Sequence, residues 1–245
     1  MAWVEDMSDG TRPASRTDVL RASPPMFDSR VLDLLSRVHP VVPVLIFAPA
    51  IVLLVAWELA SASLATTVAL LAGGYALWTL FEYWLHRIVF HFEPEDGLGA
   101  RMHWIIHGVH HDHPNDPLRL VMPPAVSVPL GAIVFAILYL AFGAGYAPGI
   151  GAGFFAGYLA YDMIHYYIHH FRARGPLGRM LRERHMRHHF QDDTRGFGIS
   201  APYWDEIFRT SSRGRSTRQT PIAATSPAAA TQHATAAPEQ SKPRN

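Results

Sequence analysis

Apolar stretches without charged residues dominate the first two thirds of the chain. Two of them, 38–57 and 59–81, contain no Asp, Glu, Lys or Arg. A third, 120–161, is charge-free for 42 residues and is interrupted by a Gly-rich turn at 143–149. A bilayer core takes ~20 helical residues. The pattern therefore predicts an all-α integral membrane protein with four transmembrane helices, near residues 38–60, 62–85, 125–142 and 150–168.

Polar sequence lies on both sides of this predicted membrane domain, which we place at 38–210. Residues 1–37 form a polar N-terminal segment, with a short helix expected near 29–38. Residues 211–245 are rich in Ala, Thr, Ser and Pro, a composition that cannot bury a core, and we expect a disordered tail.

The arginines predict the orientation of the spans. They precede the first span, occupy the central loop and follow the fourth span, whereas the two short turns contain no Lys or Arg. Cytoplasmic loops carry an excess of basic residues. Both termini and the central loop are therefore expected in the cytoplasm, at the inner membrane of a bacterium or the endoplasmic reticulum of a eukaryote.

The composition narrows the class of protein further. Charged residues make up 17% of the chain, below the ~25% usual in soluble domains. The formal net charge is only +1, so no nucleic-acid partner is implied. The chain contains no Cys, which excludes disulfides, thiolate metal sites and cysteine nucleophiles.

Ten histidines at the ends of the predicted spans are the candidate metal ligands. They are His86, His91, His107, His110, His111, His165, His169, His185, His188 and His189. Two segments have the spacing His-x-x-His-His, which places the side chains on one face of a helix. Neutral imidazole suits iron, zinc, copper and nickel. Ten ligands exceed the four to six that one ion takes, so the pattern predicts two metal ions close together, on the cytoplasmic side of the membrane.

Two acidic residues, Glu82 and Asp162, each precede a histidine by about one helical turn. Metal-bound histidine usually donates its other N–H to a carboxylate or carbonyl. We therefore expect these two carboxylates around the metal ligands, the alternative being that each caps a helix end or pairs with an Arg.

Other metal architectures fit less well. A ferritin-like di-iron site needs two Glu-x-x-His pairs, and only Asp162-Met-Ile-His165 comes close. The His-Glu-x-x-His motif of zinc proteases is absent. Haem held between helices would need histidines within the bilayer, whereas these lie at span ends.

Several segments together resemble the fatty acid hydroxylase and sterol desaturase superfamily, with the best match to fatty acid 2-hydroxylases. They are His107-Gly-Val-His110-His111 with its continuation at 119–124, the stretch 157–170, and His185-Met-Arg-His188-His189-Phe190 with 196–198 and 203–205. The resemblance covers residues 35–210, and the ten family ligands match the ten histidines above.

The resemblance implies four transmembrane helices under a cytosolic cap that holds two iron ions, which zinc can replace in purified protein. It implies an O2-dependent monooxygenase that hydroxylates carbon 2 of a long-chain fatty acid or of a sphingolipid or ceramide acyl chain. Tyr161, Asp162 and Tyr166 are candidates for positioning the acyl head, and Leu120–Pro124 for lining the groove.

Eukaryotic relatives often carry a fused cytochrome b5 domain, and this chain departs from them. His39-Pro-Val-Val is not the haem motif of that domain. Electrons are therefore expected from a separate cytochrome b5-like protein or a ferredoxin and reductase.

Two rival functions stay open at this point. The histidine pattern also fits a sterol desaturase, a carotenoid hydroxylase or another lipid hydroxylase of the same superfamily. A metal-binding or transport protein without catalysis fits less well, because transporters bind near the bilayer midplane.

Overall fold

Ten α-helices and no strand occur in residues 14–212, the part of the chain that this computed structural model describes. The helices are α1 (Arg16–Arg21), α2 (Arg30–Leu35), α3 (Val41–Ser61), α4 (Leu64–Trp84), α5 (Gly97–His103), α6 (Val109–Asp112), α7 (Pro124–Phe142), α8 (Ala147–His170), α9 (Gly175–Phe190) and α10 (Tyr203–Ile207). The all-α prediction is confirmed over this range. The predicted tail, from residue 213 onward, lies outside it.

Within residues 14–212, three helices are long and apolar enough to cross a membrane: Val41–Ser61, Leu64–Phe90 and Pro124–Phe142. They match the first three predicted spans. Helix α8 coincides with the fourth, but it does not meet the same criterion, because it is rich in glycine and carries Asp162 and three histidines in its second half. A fourth span therefore stays a prediction.

Local sequence explains where these helices begin and end. The Ser63 hydroxyl accepts a hydrogen bond from the Thr66 N–H at 3.1 Å, which caps α4 directly after the short turn from α3. Pro124 is the first residue of α7. A backbone N–H at this position has no acceptor within the helix, so the lack of an N–H in proline costs no helical hydrogen bond. Gly143 ends α7 with φ +68°, a conformation that favours glycine.

Helix α8 is the central helix, and it packs directly against the backbone of α4. A Cβ atom placed on Gly74 would lie 2.0 Å from the Ile150 carbonyl oxygen, and one on Gly153 would lie 2.1 Å from the Leu71 carbonyl oxygen. Only glycine permits this approach. Small residues allow the close packing of helices within membranes, where van der Waals contact is a main attractive term.

A π-helical segment, Leu85–Phe90, continues α4 beyond Trp84. The His91 N–H donates to the His86 carbonyl oxygen at 3.2 Å, five residues back. Such segments add one residue to the turn and are frequent at functional sites.

Residues 14–37, which we call the N-terminal strap, lie across the ends of the long helices. They include α1 and α2, and α2 confirms the helix expected near 29–38. The Asn115 N–H donates to the Leu20 carbonyl oxygen at 3.0 Å. Arg119 donates to the Asp33 carboxylate at 2.7 Å, so the strap is tied to the segment that leads into α7.

Candidate metal centre

The structure brings the ten predicted histidines together in two groups of five. The first group is His86, His91, His107, His111 and His188, and the second is His110, His165, His169, His185 and His189. Within each group, one nitrogen from every ring lies within 4.8 Å of the others.

The local helical structure explains how each segment contributes. In α9 the His-x-x-His-His spacing places three rings on one side of the helix. In the other such segment, His107 lies in a π-helical stretch, Trp104–Gly108, that leads directly into α6 with His110 and His111. Each segment contributes rings to both groups. His165 and His169 are one turn apart on α8. His86 and His91 are five residues apart, which an α-helix would place on different sides. The π-helical segment brings their Nε2 atoms to 3.2 Å.

The nitrogen atoms of the first group converge on one point. His91 Nε2 lies 3.2 Å from His86 Nε2 and 3.1 Å from His188 Nε2. His107 Nε2 lies 3.2 Å from His86 Nε2 and 3.0 Å from His111 Nε2.

The nitrogen atoms of the second group lie equally close together. His185 Nε2 lies 2.9 Å from His165 Nε2, 2.8 Å from His169 Nε2 and 3.0 Å from His189 Nε2. The His110 ring completes the group, with its centroid 4.7 Å from those of His169 and His189.

These short nitrogen separations cannot all be hydrogen bonds. His86 Nδ1 lies 2.8 Å from the Phe197 carbonyl oxygen, and His188 Nδ1 lies 2.8 Å from the Arg195 carbonyl oxygen. A carbonyl only accepts, so each Nδ1 carries the proton and a neutral ring presents a bare lone pair at Nε2. Both lone pairs point toward His91 Nε2, an arrangement that a bound cation would stabilise.

The distances between the Nε2 atoms also match the distances between ligand atoms around one metal ion. Imidazole nitrogen binds a metal such as zinc at ~2.0–2.1 Å, so two ligands at a right angle are ~3 Å apart. The Nε2 separations in the second group are 2.8, 2.9 and 3.0 Å. The residues present therefore fit two metal ions, one per group.

Burial keeps these rings neutral. It lowers the pKa of His91 to about 3 and that of His111 to about 2, with the neighbouring His188 as the next cause. Burial also lowers the pKa of His107, His185 and His189 well below the usual range, and nearby imidazoles add to the effect. A neutral imidazole is the form that binds metal.

A cavity of about 400 Å³ opens onto both groups. His107 from the first group and His110 and His165 from the second lie in its wall. Most of the remaining lining is apolar and includes side chains from α2 and residues 120–123 of the predicted groove segment Leu120–Pro124. The charged residues in the wall are Glu82, Arg119 and Asp162. The cavity suits a long alkyl chain with one end beside the histidines.

The fatty acid hydroxylase family model matches residues 71–210, which contain all ten histidines. The chain belongs to the fatty acid hydroxylase family. The predicted superfamily membership is confirmed.

Several curated members of this family are similar to the chain. It is 36% identical over 198 residues to the ceramide very long chain fatty acid hydroxylase of Saccharomyces cerevisiae, covering 78% of this chain and 50% of that protein. It is 34% identical over 141 residues to a dihydroceramide fatty acyl 2-hydroxylase of Arabidopsis thaliana, covering 58% of this chain and 60% of the relative. The chain thus spans about half to three fifths of the length of these two relatives.

A solved structure shares the fold. Full-length scs7p, of which only the hydroxylase domain is visible, superposes with a TM-score of 0.72 at 32% sequence identity. The match covers 76% of this chain and 71% of that chain.

Glu82, expected beside a metal ligand, acts through a loop instead. Its Oε1 atom accepts hydrogen bonds from the Ile199 and Ser200 N–H groups at 2.8 and 2.7 Å, and the Ser200 hydroxyl donates to Oε2. This loop carries the Phe197 carbonyl that receives His86 Nδ1–H. The sequence spacing could not show this, because the loop is more than 100 residues away along the chain.

Asp205 was not predicted, and it holds the other side of the same loop. Its Oδ1 atom accepts from the Phe197 N–H and its Oδ2 atom from the Gly198 N–H, both at 2.9 Å. The Tyr203-Trp204-Asp205 motif was noticed in the sequence, but only as part of the family resemblance. Two buried carboxylates therefore fix the loop that orients His86.

Two of the three candidate substrate-positioning residues lie at the cavity, and the third does not. Tyr161 and Asp162 both line the cavity, and Oδ2 of Asp162 has no hydrogen-bond partner among the described residues. Tyr166 is outside the cavity lining, and its ring packs on His170 at 4.3 Å. Five residues along an α-helix turn Tyr166 ~140° away from Tyr161, so the structure does not bring it to the site.

Glu93 is a second carboxylate that sequence analysis missed. Its Oε1 atom lies 3.6 Å from His91 Nδ1 and 3.8 Å from His103 Nε2. The other nearby histidines have structural contacts: His113 Nδ1 lies 2.6 Å from the Val19 carbonyl oxygen of the strap. His103, His113 and His170 belong to neither group of five.

Proposed function

We propose that this protein hydroxylates carbon 2 of a long-chain fatty acid or of a ceramide-like acyl chain, using O2 and two iron ions held by the ten histidines. The observation that carries the proposal is the largely apolar cavity that has His107, His110 and His165 in its wall. It offers a long alkyl chain a binding site that ends at the metal-binding groups. The curated relatives are named for this class of reaction.

Iron supplies the redox chemistry that oxygen insertion into an unactivated C–H bond needs, which zinc, with one accessible oxidation state, does not provide. The protein's own contribution is positioning. Neighbouring methylene groups of a chain differ little in reactivity, so the carbon held nearest the metals is the one oxidised. The cavity wall decides which carbon that is.

Polar groups in the cavity wall are suited to hold the acyl head. Asp162 and Tyr161 precede His165 on α8 by about one turn and line the cavity with it. A carbonyl or amide fixed at this point would leave the adjacent carbon 2 beside the histidines. The alkyl chain would then extend along the apolar wall and exclude water.

We propose that the metal centre faces the cytoplasm and receives electrons from a separate cytochrome b5-like or ferredoxin-type donor. The histidine groups lie at the Trp84 end of α4 and the His170 end of α8, the same ends that carry Arg87 and Arg172. This arrangement agrees with the positive-inside rule.

The test is to express the chain in a host that lacks 2-hydroxylated lipids, supply isotope-labelled O2 and analyse the lipids by mass spectrometry. We expect acyl chains heavier by one labelled oxygen atom, located at carbon 2. A His188→Ala variant expressed at the same level serves as the inactive control. Labelled sterols or carotenoids without labelled acyl chains would contradict the proposal and favour the rival functions.

A further inference from the structure

A second, smaller cavity continues the first one into the helical bundle. It has a volume of about 30 Å³ and is lined by residues from α3, α4, α7 and α8. Four residues belong to the walls of both cavities: Trp78, Leu85, Met122 and Leu130. The two spaces therefore adjoin each other.

The order of residues along the helices gives the direction of this path. On α8, His165 and Asp162 line the large cavity, and Tyr158 and Phe155, one and two turns earlier, line the small one. On α7, Val126 lines the large cavity and Gly131 the small one. At 1.5 Å per residue, Phe155 lies about 15 Å along the helix axis from His165. Both helices place the small cavity farther from the histidines.

Aromatic rings form the part of the small cavity wall beside Gly131, and we call this part the floor. Phe47 packs edge-on against Phe155 at 5.6 Å and against Tyr158 at 4.7 Å between ring centroids. Displacing rings packed in this way is energetically costly, because protein interiors are close-packed. An alkyl chain that reached the floor would have to stop there.

Gly131 faces this floor and leaves the remaining space open. A Cβ atom at this position would lie 3.4 Å from Cε1 of Phe155 and 3.5 Å from Cε1 of Phe47, so a methyl group fits in contact with both rings. The cavity volume of about 30 Å³ is above the ~10–15 Å³ that a cavity needs to hold one water molecule. It has room on the order of one chain-terminal group.

We propose that the small cavity receives the methyl end of the acyl chain, and that Gly131 sets the longest chain that the protein accepts. This inference rests on the proposed function, because it takes the acyl chain to begin at the histidines. A side chain at position 131 would occupy the space of the last carbon or carbons. Each excluded methylene should reduce relative binding roughly fourfold, the factor that corresponds to the burial of one CH2 group.

The experiment compares Gly131→Ala and Gly131→Val with Gly73→Ala and Gly73→Val. Gly73 is also a glycine within a long helix, but nothing lies within 4 Å of a Cβ at that position. Thermal stabilisation of each purified protein is measured with a series of saturated fatty acids of increasing chain length. The chain lengths of 2-hydroxylated products are measured in cells that express the same variants.

We expect both Gly131 variants to favour shorter chains than the wild type, Val more strongly than Ala, while the Gly73 variants keep the wild-type length profile. An unchanged binding profile in both Gly131 variants, or an equal loss at every chain length, would overturn the inference. Absence of any 2-hydroxylated product from the wild type would overturn the proposed function instead, because the binding profile is read without turnover.

Discussion

His111 and His189 stack on each other with ring centroids 4.3 Å apart and planes inclined by 30°, although they belong to different histidine groups. Each ring is thus packed against a ligand candidate of the other group. The two groups therefore form one continuous cluster of imidazoles, and we expect damage to either group to affect both.

Removing a single histidine should release metal. His188→Ala deletes a ring whose Nε2 lies 3.1 Å from His91 Nε2 and whose Nδ1 is held by the Arg195 carbonyl. We expect metal affinity to fall by more than ~100-fold, the upper end of the range for residues that only support ligands. Metal content of the purified protein, measured by mass spectrometry, checks this. His113→Ala removes a histidine outside both groups and should retain metal, whereas full occupancy in His188→Ala would refute the ligand assignment.

Glu82→Gln should weaken metal binding without touching a histidine. The carboxylate accepts hydrogen bonds from two N–H groups and a hydroxyl of the loop that orients His86. In glutamine one of the two oxygen atoms becomes an NH2 donor, so the Ser200 hydroxyl loses its acceptor and must turn to accept instead. Outer residues that support ligands typically contribute 10- to 100-fold to metal affinity. We expect a loss of about that size in competition with a chelator.

Glu58→Gln is the matched control for this experiment. Glu58 is also fully buried, but its carboxylate accepts from the Gly149 N–H at 2.8 Å, near the start of α8 and far from the histidines. We expect this variant to lower thermal stability and to leave metal affinity unchanged. Equal affinities in both variants would contradict the role given to Glu82.

Gly153→Ala should force α4 and α8 apart. Its added methyl group would lie 2.1 Å from the Leu71 carbonyl oxygen, so the backbones must separate. Overpacking of this kind costs about 1–3 kcal/mol, and the separation would also move His86 away from His165. We expect a lower melting temperature and reduced metal content. Gly73→Ala, on the open side of α4, should behave like the wild type; an equally stable Gly153→Ala would show that the contact is not needed.

The metal-free protein should lose stability on acidification. Burial lowers the pKa of His91 to about 3 and of His111 to about 2, below the ~6.5 of an unfolded histidine. The unfolded state therefore binds more protons below about pH 6.5, and stability falls as the pH decreases from there. By about pH 5 each such histidine should lower stability by roughly 2 kcal/mol. Thermal melts of chelator-treated protein between about pH 8 and pH 5 check this, and a flat profile would contradict it.

The length of each charge-free stretch was sufficient to predict the long helices, because an apolar stretch of ~20 residues has few alternatives to a helix in a membrane. It predicted α3, α4 and α7 to within a few residues. It did not decide whether α8 spans, because Asp162 and the histidines interrupt the apolar pattern. What surrounds α8 is other protein, and composition alone does not reveal that.

Spacing located the histidines but not their partners. His185 and His189 share a face of α9 by simple periodicity, whereas His86 and His91 meet only because the turn between them is π-helical. The Phe197 carbonyl and Asp205 support His86 from a loop that approaches through the tertiary fold. Contacts over such sequence distances leave no periodic signal. The placement of Tyr166 has a different, local reason, because the turn of α8 points it ~140° away from Tyr161.

The N-terminal strap belongs to the smallest part of the chain that keeps the cavity wall complete. Met26, Phe27 and Leu35 form part of the cavity wall, although the matched family segment begins only at residue 71. A shortened version cut to that segment would keep all ten histidines yet remove part of the cavity wall. Engineers who graft this domain onto another protein should therefore join the fusion partner ahead of α1, at residue 14 or earlier, or at the other end of the chain.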